Sequence, residues 1–166
     1  MDLIQVDELL VASLVKATRE GLSMANAKPV PVGLSKYVNC TRGVSTVVGL
    51  AGQMSGSLMV NCTTPMALYL AEGMLGEKMQ SLTAEVLDSL SEIGNIIAGK
   101  TKAILSSTAY KFEKISIPSV VVGNNYFISL YRGMMTVSVD FEITSMPVSP
   151  TNDRFFSVSM SLMKVN

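Results

Sequence analysis

Asp88-Ser89-Leu90-Ser91-Glu92-Ile93-Gly94-Asn95-Ile96-Ile97-Ala98-Gly99-Lys100 lies at the centre of a long segment whose apolar residues recur at helical spacing. Val86, Leu90, Ile93, Ile97 and Ile104 fall on one face, which reads as the core side. Asp88, Glu92, Asn95 and Gly99 lie within roughly 60° of one another on the opposite face, at ~100° per residue. Thr83 is the candidate N-cap of this helix, which is expected to run to about Ser107. Position 86 is a valine, so the acid that would complete a capping box is missing. A helix this long with a single apolar face needs a surface to lie on, and the rest of the chain supplies strands.

Upstream, Leu3, Val6, Leu9, Leu10, Leu14 and Val15 predict a helix over 3–25, ended by Pro29 and Pro31. Strands are expected over 33–41, 43–50 and 53–62, the last two forming a hairpin around Gly52. Pro65, just after Thr63 and Thr64, opens a helix over 64–75 that stops at Gly76. Downstream, Pro118 marks a break, and 119–122, 125–132, 134–143 and 154–165 read as strands rich in Val, Ile, Phe, Ser and Thr. A faint echo at a spacing of roughly eighty residues pairs Leu50-Ala51-Gly52-Gln53 with Tyr131-Arg132-Gly133-Met134. The fold class is therefore α+β: two related halves, with long helices on a mostly antiparallel sheet.

The chain has 166 residues, about one domain, and is expected to form a single domain over 1–166. It is 48% hydrophobic, enough for a core and against disorder. Thirteen basic residues balance thirteen acidic ones, so no cationic surplus points to nucleic acid or an anionic membrane. Residues 43–71 carry no charge, but Gly49, Gly52, Gln53, Gly56, Asn61 and Pro65 interrupt any spanning run. The acidic start lacks the basic end of a secretory signal, so a cytoplasmic location is expected. Cys40 and Cys62 then read as reduced, half-buried thiols, and their Asn-Cys-Thr tripeptides as chance acceptor matches.

Absences narrow the chemistry. There is no histidine, which excludes Ser-His-Asp and Cys-His nucleophilic sites and His-ligated metals. Two cysteines cannot build a structural zinc site, and no GxGxxG or GxxxxGK[ST] loop occurs. A catalyst built from this chain works with carboxylate, amide or hydroxyl groups, or borrows chemistry from a partner.

A solvated helix face is the ordinary explanation of a Glu and an Asn at this spacing. Three features argue for more. Asn gains nothing in a helix interior. Gly94 and Gly99 each cost ~1 kcal/mol there relative to Ala. Gly99 shares the stripe with Asn95, leaving a spot where another macromolecule can approach the helix backbone. An exposed amide can position a water, and phosphoryl transfer depends chiefly on positioning and charge stabilisation. A carboxylate repels phosphate, so Glu92 suits a grip on a partner's Lys or Arg. Lys100 and Lys102 read as solvated helix-end charges, and the twelve methionines mainly as core filler.

The pattern Asp88-x3-Glu92-x2-Asn95-x3-Gly99 resembles the signature helix of the CheC, CheX and FliY phosphatases, which hydrolyse the phosphoaspartate of the chemotaxis regulator CheY. Gly56-Ser57-Leu58-Met59-Val60, the Pro65–Gly76 helix with Glu77 after it, and Ile117-Pro118-Ser119-Val120-Val121-Val122-Gly123 are similar to that family too. The resemblance implies that Asn95 orders the attacking water and that Glu92 binds and orients the partner. Asp88 and Gly99 would complete the docking face. No cofactor is implied for this chain; Mg²⁺ would belong to the partner response regulator of a two-component pathway. In the first helix the echoing positions are Ala12 and Val15, which cannot perform these roles. A single active helix favours a CheX-like chain, a type that is usually homodimeric. Two rivals remain: a non-catalytic adaptor for a response regulator or flagellar switch component, and a sensory domain with an apolar pocket. Burial of the Glu92–Asn95 stripe would exclude both the phosphatase and the adaptor.

Overall fold

The computed structural model describes residues 6–38, 43–124, 126, 128, 130, 132–147 and 152–165. The chain runs α1 (Glu8–Leu22), a short 3-10 turn, β1 (Pro29–Ser35), β2 (Val44–Gly52), β3 (Met54–Cys62), α2 (Thr64–Leu75) and α3 (Ala84–Ile104). It continues through β4 (Phe112–Ile115), β5 (Ser119–Val122), β6 (Met135–Ile143) and β7 (Phe155–Lys164). The fold is α+β, three helices on a mostly antiparallel sheet. Its strand order is β1-β6-β7-β3-β2-β4, with β5 also on β2.

Local chemistry accounts for the helix ends. The Asp7 carboxylate accepts the Leu9 and Leu10 N–H groups and opens α1, later than the expected 3–25 span; residues 1–5 are outside the described set. Thr63 caps α2, Pro65 occupies its first turn, and Gly76 closes it at φ 75°, so the 64–75 boundaries hold. Thr83 accepts the Val86 N–H and opens α3 as expected, but the helix stops at Ile104, short of Ser107.

The strand expected over 33–41 is displaced. Pro29 and Pro31, expected to end the first helical region, instead lie within β1. They are tolerated because β1 is an edge strand, where a missing N–H breaks few ladder bonds. Residues 39–42 fall outside the described set, as do alternate positions of the 125–132 strand; Tyr126, Ile128, Leu130 and Arg132 are not in a strand. β4 was not expected.

The two-half organisation is present, in a form different from the predicted turn alignment. Gly133, at φ 95°, precedes β6, whereas Gly52 ends β2 and leads into β3. The equivalence lies in the pairing: hairpins β2–β3 and β6–β7 meet through β3 and β7. Each then receives its outer strand from the other half, β1 on β6 and β5 on β2.

One sheet face forms the core. Val48, Leu58, Val139, Phe141, Val158 and Met160 meet Leu10 and Leu14 of α1, Met66 and Leu70 of α2, and Ile93 and Ile97 of α3. Phe141 and Phe156 stack with centroids 5.2 Å apart. Met66 and Met160 are buried in the core, as expected of core methionines; Met59 is buried on the opposite face of the sheet, and Met24 is exposed. The other face is polar: Ser138 and Ser159 hydroxyls pair at 2.8 Å, and the Asn61 amide donates to Ser45 at 2.7 Å. Cys62 is fully buried, which pushes its thiol up to about 12; Cys40 lies outside the described set. No helix is long and apolar enough to cross a membrane among the described residues.

Candidate functional site

α3 lies with Val86, Leu90, Ile93 and Ile97 buried and its opposite face in solvent. Its seat is close. A Cβ on Gly94 would come within 2.4 Å of Thr46 Cγ2 on β2, and a Cβ on Gly21 of α1 within 2.6 Å of Ile97 Cγ1. Gly94 is thus a packing glycine that lets the helix lie against the sheet. Gly99 has nothing within 4 Å of its would-be Cβ among the described residues, so no contact with them requires a glycine there.

The four predicted residues come together on the outer face. Asp88 and Glu92 are exposed, Asn95 and Gly99 half-buried. Asp88, Glu92 and Asn95 line one wall of an open groove of about 400 Å³; Gly99, one turn on from Asn95, does not line it. Among the described residues none of these three side chains has a hydrogen bond or ion pair. The groove's lining carries two carboxylates and no cation. Two lysines further along α3 are engaged elsewhere: Lys100 pairs with Glu20 of α1 at 3.3 Å, and Lys102 donates to the Glu113 carbonyl at 2.7 Å. Both contacts lie at the surface, so these lysines are the solvated charges expected, each with a local partner.

Sequence reasoning did not anticipate Ser91, nor the opposite wall, Ile115–Pro118. That wall arises from register. β4 and β5 lie end to end along one edge of β2, with Leu50 opposite Ile115 and Val47 opposite Ser119. Three residues, Ser116–Pro118, therefore stand opposite two, Val48 and Gly49, as in a β-bulge. The Ser116 N–H donates to the Gly49 carbonyl at 2.9 Å, and the Gly49 N–H donates to Ser116 Oγ at 2.8 Å. Ser116 Oγ in turn donates to the Ile117 carbonyl at 2.9 Å. Pro118 offers no N–H and so cannot continue the ladder. The signals available beforehand were Pro118, readable as a break, and the family resemblance of Ile117–Gly123, neither of which places these residues opposite α3.

Chemically, the groove offers an amide, a carboxylate one turn away and open space above both. It can grip a cation and orient a small polar molecule. Among the described residues no group of three or more Cys, Asp or Glu is placed to hold a metal ion.

Comparison with known proteins agrees with this geometry. The sequence matches the chemotaxis phosphatase CheX family over residues 44–142. It is similar to the CheY-P phosphatase CheX of Thermotoga maritima, at 26% identity over 156 residues, covering 92% of each chain. A solved chemotaxis protein CheX from Desulfovibrio desulfuricans superposes with TM-score 0.79 at 27% identity, covering 93% of this chain and 99% of that one. The CheX of a CheX-CheY-BeF3-Mg²⁺ complex from Borrelia burgdorferi has the same fold, with TM-score 0.77 at 23% identity over 96% and 100% of the two chains. The match spans more than half of the sequence, from β2 through α3 and its signature stripe to β6, and the chain belongs to the chemotaxis phosphatase CheX family.

Proposed function

We propose that this chain, as one CheX-like domain over its 166 residues, hydrolyses the aspartyl phosphate of a CheY-like receiver domain. The observation that carries the reading is the pairing of Glu92 and Asn95 on one accessible groove wall, with no partner of their own among the described residues. The similarity to a CheY-P phosphatase of Thermotoga maritima supports the same activity.

Asn95 enters the receiver's active site and orients a water by its side-chain carbonyl and amide. The water's oxygen attacks phosphorus, and the bond from phosphorus to the receiver's aspartate oxygen breaks. The aspartate leaves as a carboxylate, and the water's proton passes to the departing inorganic phosphate. A neutral amide suits this position, since it does not repel the phosphoryl group. Mg²⁺ belongs to the receiver, where it neutralises phosphoryl charge. Glu92 lies three residues earlier, about 4.5 Å along the helix axis. There it grips a Lys or Arg of the receiver in a charge-assisted hydrogen bond, and Asp88 adds to the negative potential of the same wall. The two roles divide: Glu92 gives binding and register, Asn95 gives rate.

The setting proposed is a cytoplasmic homodimer in a two-component chemotaxis pathway. β1 is an edge strand carrying Val30, Val32 and Leu34 exposed, and such an edge can template a second copy.

The test is loss of phosphate from an Mg²⁺-loaded, phosphorylated receiver domain. Wild type should accelerate the decay. Asn95→Ala should lower the accelerated rate by about a hundredfold or more with binding retained. Glu92→Ala should weaken binding by about tenfold or more. Binding without acceleration by wild type would make the chain an adaptor and end the phosphatase reading.

A further inference from the structure

We infer that Ile117 is the apolar anchor by which this chain seats a phosphorylated receiver domain over Asn95. The inference rests on the phosphatase reading and adds to it the residue that supplies affinity. Ile117 is 89% exposed, the most exposed large apolar side chain among the described residues. Exposure alone says little, since single apolar residues are common on surfaces. Its mounting says more.

Ile117 is one of the two residues, with Pro118, that the bulge between β4 and β5 leaves opposite Val48, and it lines the groove wall facing Glu92 and Asn95. Bulges of this kind re-aim a side chain and recur beside active sites. The backbone under it is held at three points: Ser116 N–H on Gly49, Gly49 N–H on Ser116 Oγ, and Ser116 Oγ on the Ile117 carbonyl. The glycine at 49 permits this approach, because a Cβ there would lie 3.2 Å from Ser116 Oγ. Pro118 further restricts Ile117 to extended backbone. The side chain is therefore presented to solvent on a rigid support, and burying it under a partner orders almost no backbone.

The occupant follows from continuity. Any macromolecule that brings a phosphoryl group to Asn95 and a cation to Glu92 also covers the facing wall, because both walls line one open groove of about 400 Å³. The helix wall is polar and gives register; charged contacts of this kind contribute more to specificity than to affinity. Interface affinity concentrates in a few desolvated anchors, and Ile117 is the apolar side chain positioned to be one. It acts by positioning and does not touch the reacting atoms.

The experiment measures the initial rate of receiver dephosphorylation against receiver concentration for wild type, Ile117→Ala, Ile117→Val and Met24→Ala. Met24 is exposed apolar surface in the 3-10 turn after α1 and does not line the groove. Ile117→Ala should raise the half-saturating concentration about tenfold, the loss expected when most of an aliphatic side chain no longer enters an apolar site. Its saturated rate should stay within about twofold of wild type. Ile117→Val should restore most of the affinity, and Met24→Ala should change neither value. Unchanged half-saturation in Ile117→Ala, or a fall confined to the saturated rate, overturns the inference and leaves the phosphatase reading standing. A change in sedimentation mass with half-saturation unchanged would assign Ile117 to contact between copies of this chain, which also overturns it. Failure of wild type to bind any phosphorylated receiver removes the phosphatase reading and the anchor together. Circular dichroism and thermal melting of Ile117→Ala should match wild type, as its exposure requires.

Discussion

The two glycines of α3 should respond to alanine with opposite sign, although five positions apart on one helix. In a helix interior, Gly to Ala gains about 1 kcal/mol. At Gly94 the new Cβ would lie 2.4 Å from Thr46 Cγ2 and 3.2 Å from Thr46 Cβ. Ordinary carbon contacts are about 3.5 Å or more, so roughly 1 Å must be found. Thr46 is poorly placed to yield: it is buried, β-branched and donates from Oγ1 to the Leu90 carbonyl at 3.3 Å. Overpacking costs about 1–3 kcal/mol, and a stiff neighbour puts this site in the upper half. The net loss for Gly94→Ala is then about 1–2 kcal/mol. At Gly99 no described residue lies within 4 Å of the new Cβ, so alanine keeps the whole gain. Urea unfolding at constant slope reads both effects, and a chain of 166 residues should shift in Tm by about 2–4 °C per kcal/mol. Thr46→Ser removes the clashing methyl and keeps the hydroxyl. Combined with Gly94→Ala it should recover at least about 1 kcal/mol of interaction energy in a double-mutant cycle. If Gly94→Ala is as stable as wild type, or Thr46→Ser fails to rescue it, the close seat of α3 on β2 is not what requires a glycine. Under the docking reading Gly99→Ala also separates two quantities: the variant becomes more stable and binds the receiver less well.

Four further outcomes follow from polar and titrating groups. Thr18 is fully buried on α1 and its hydroxyl has no hydrogen-bond partner among the described residues, so the isosteric Thr18→Val should raise stability by about 1 kcal/mol, read as a higher melting temperature. Asp7 both caps α1 and accepts the Tyr110 hydroxyl, so Asp7→Ala should cost about 2 kcal/mol in denaturant unfolding, while Asp7→Asn, which can still cap, should cost less. The bond to Asp7 pushes the Tyr110 phenol up from 10.0 to about 12. Between those values the native state keeps a proton that the unfolded chain loses, so this contribution is full below pH 10 and declines as pH rises to 12. Tyr110→Phe should flatten that part of the stability curve. Burial pushes the Cys62 thiol up from 9.0 to about 12, with the same sign of pH dependence over that interval. In a Cys40→Ser background a thiol reagent at mildly alkaline pH should therefore label Cys62 only on unfolding.

What could be read from the sequence, and what could not, divides along the range of the interactions. α2 was legible to the residue, because Thr63, Pro65 and Gly76 each act on their own turn. One wall of the groove was legible for the same reason: a 3.6-residue period decides by itself that Asp88, Glu92 and Asn95 share a face. β1 was misplaced because two prolines read as punctuation, and only a neighbour on one side makes them acceptable in a strand. The role of Gly94 was misread as part of a docking signal because its cause is Thr46, nearly fifty residues away. The second wall was invisible on the same grounds. Nothing within Ser116-Ile117-Pro118 states that these residues face Val48 and Gly49 with one residue to spare; that count exists only once β4 and β5 have both paired with β2. A bulge set by long-range register can change without disturbing the helix that carries Glu92 and Asn95. The proposed chemistry and the proposed apolar anchor therefore sit on separate elements, and substitutions at the bulge should alter how tightly a receiver binds while leaving the water-ordering amide in place.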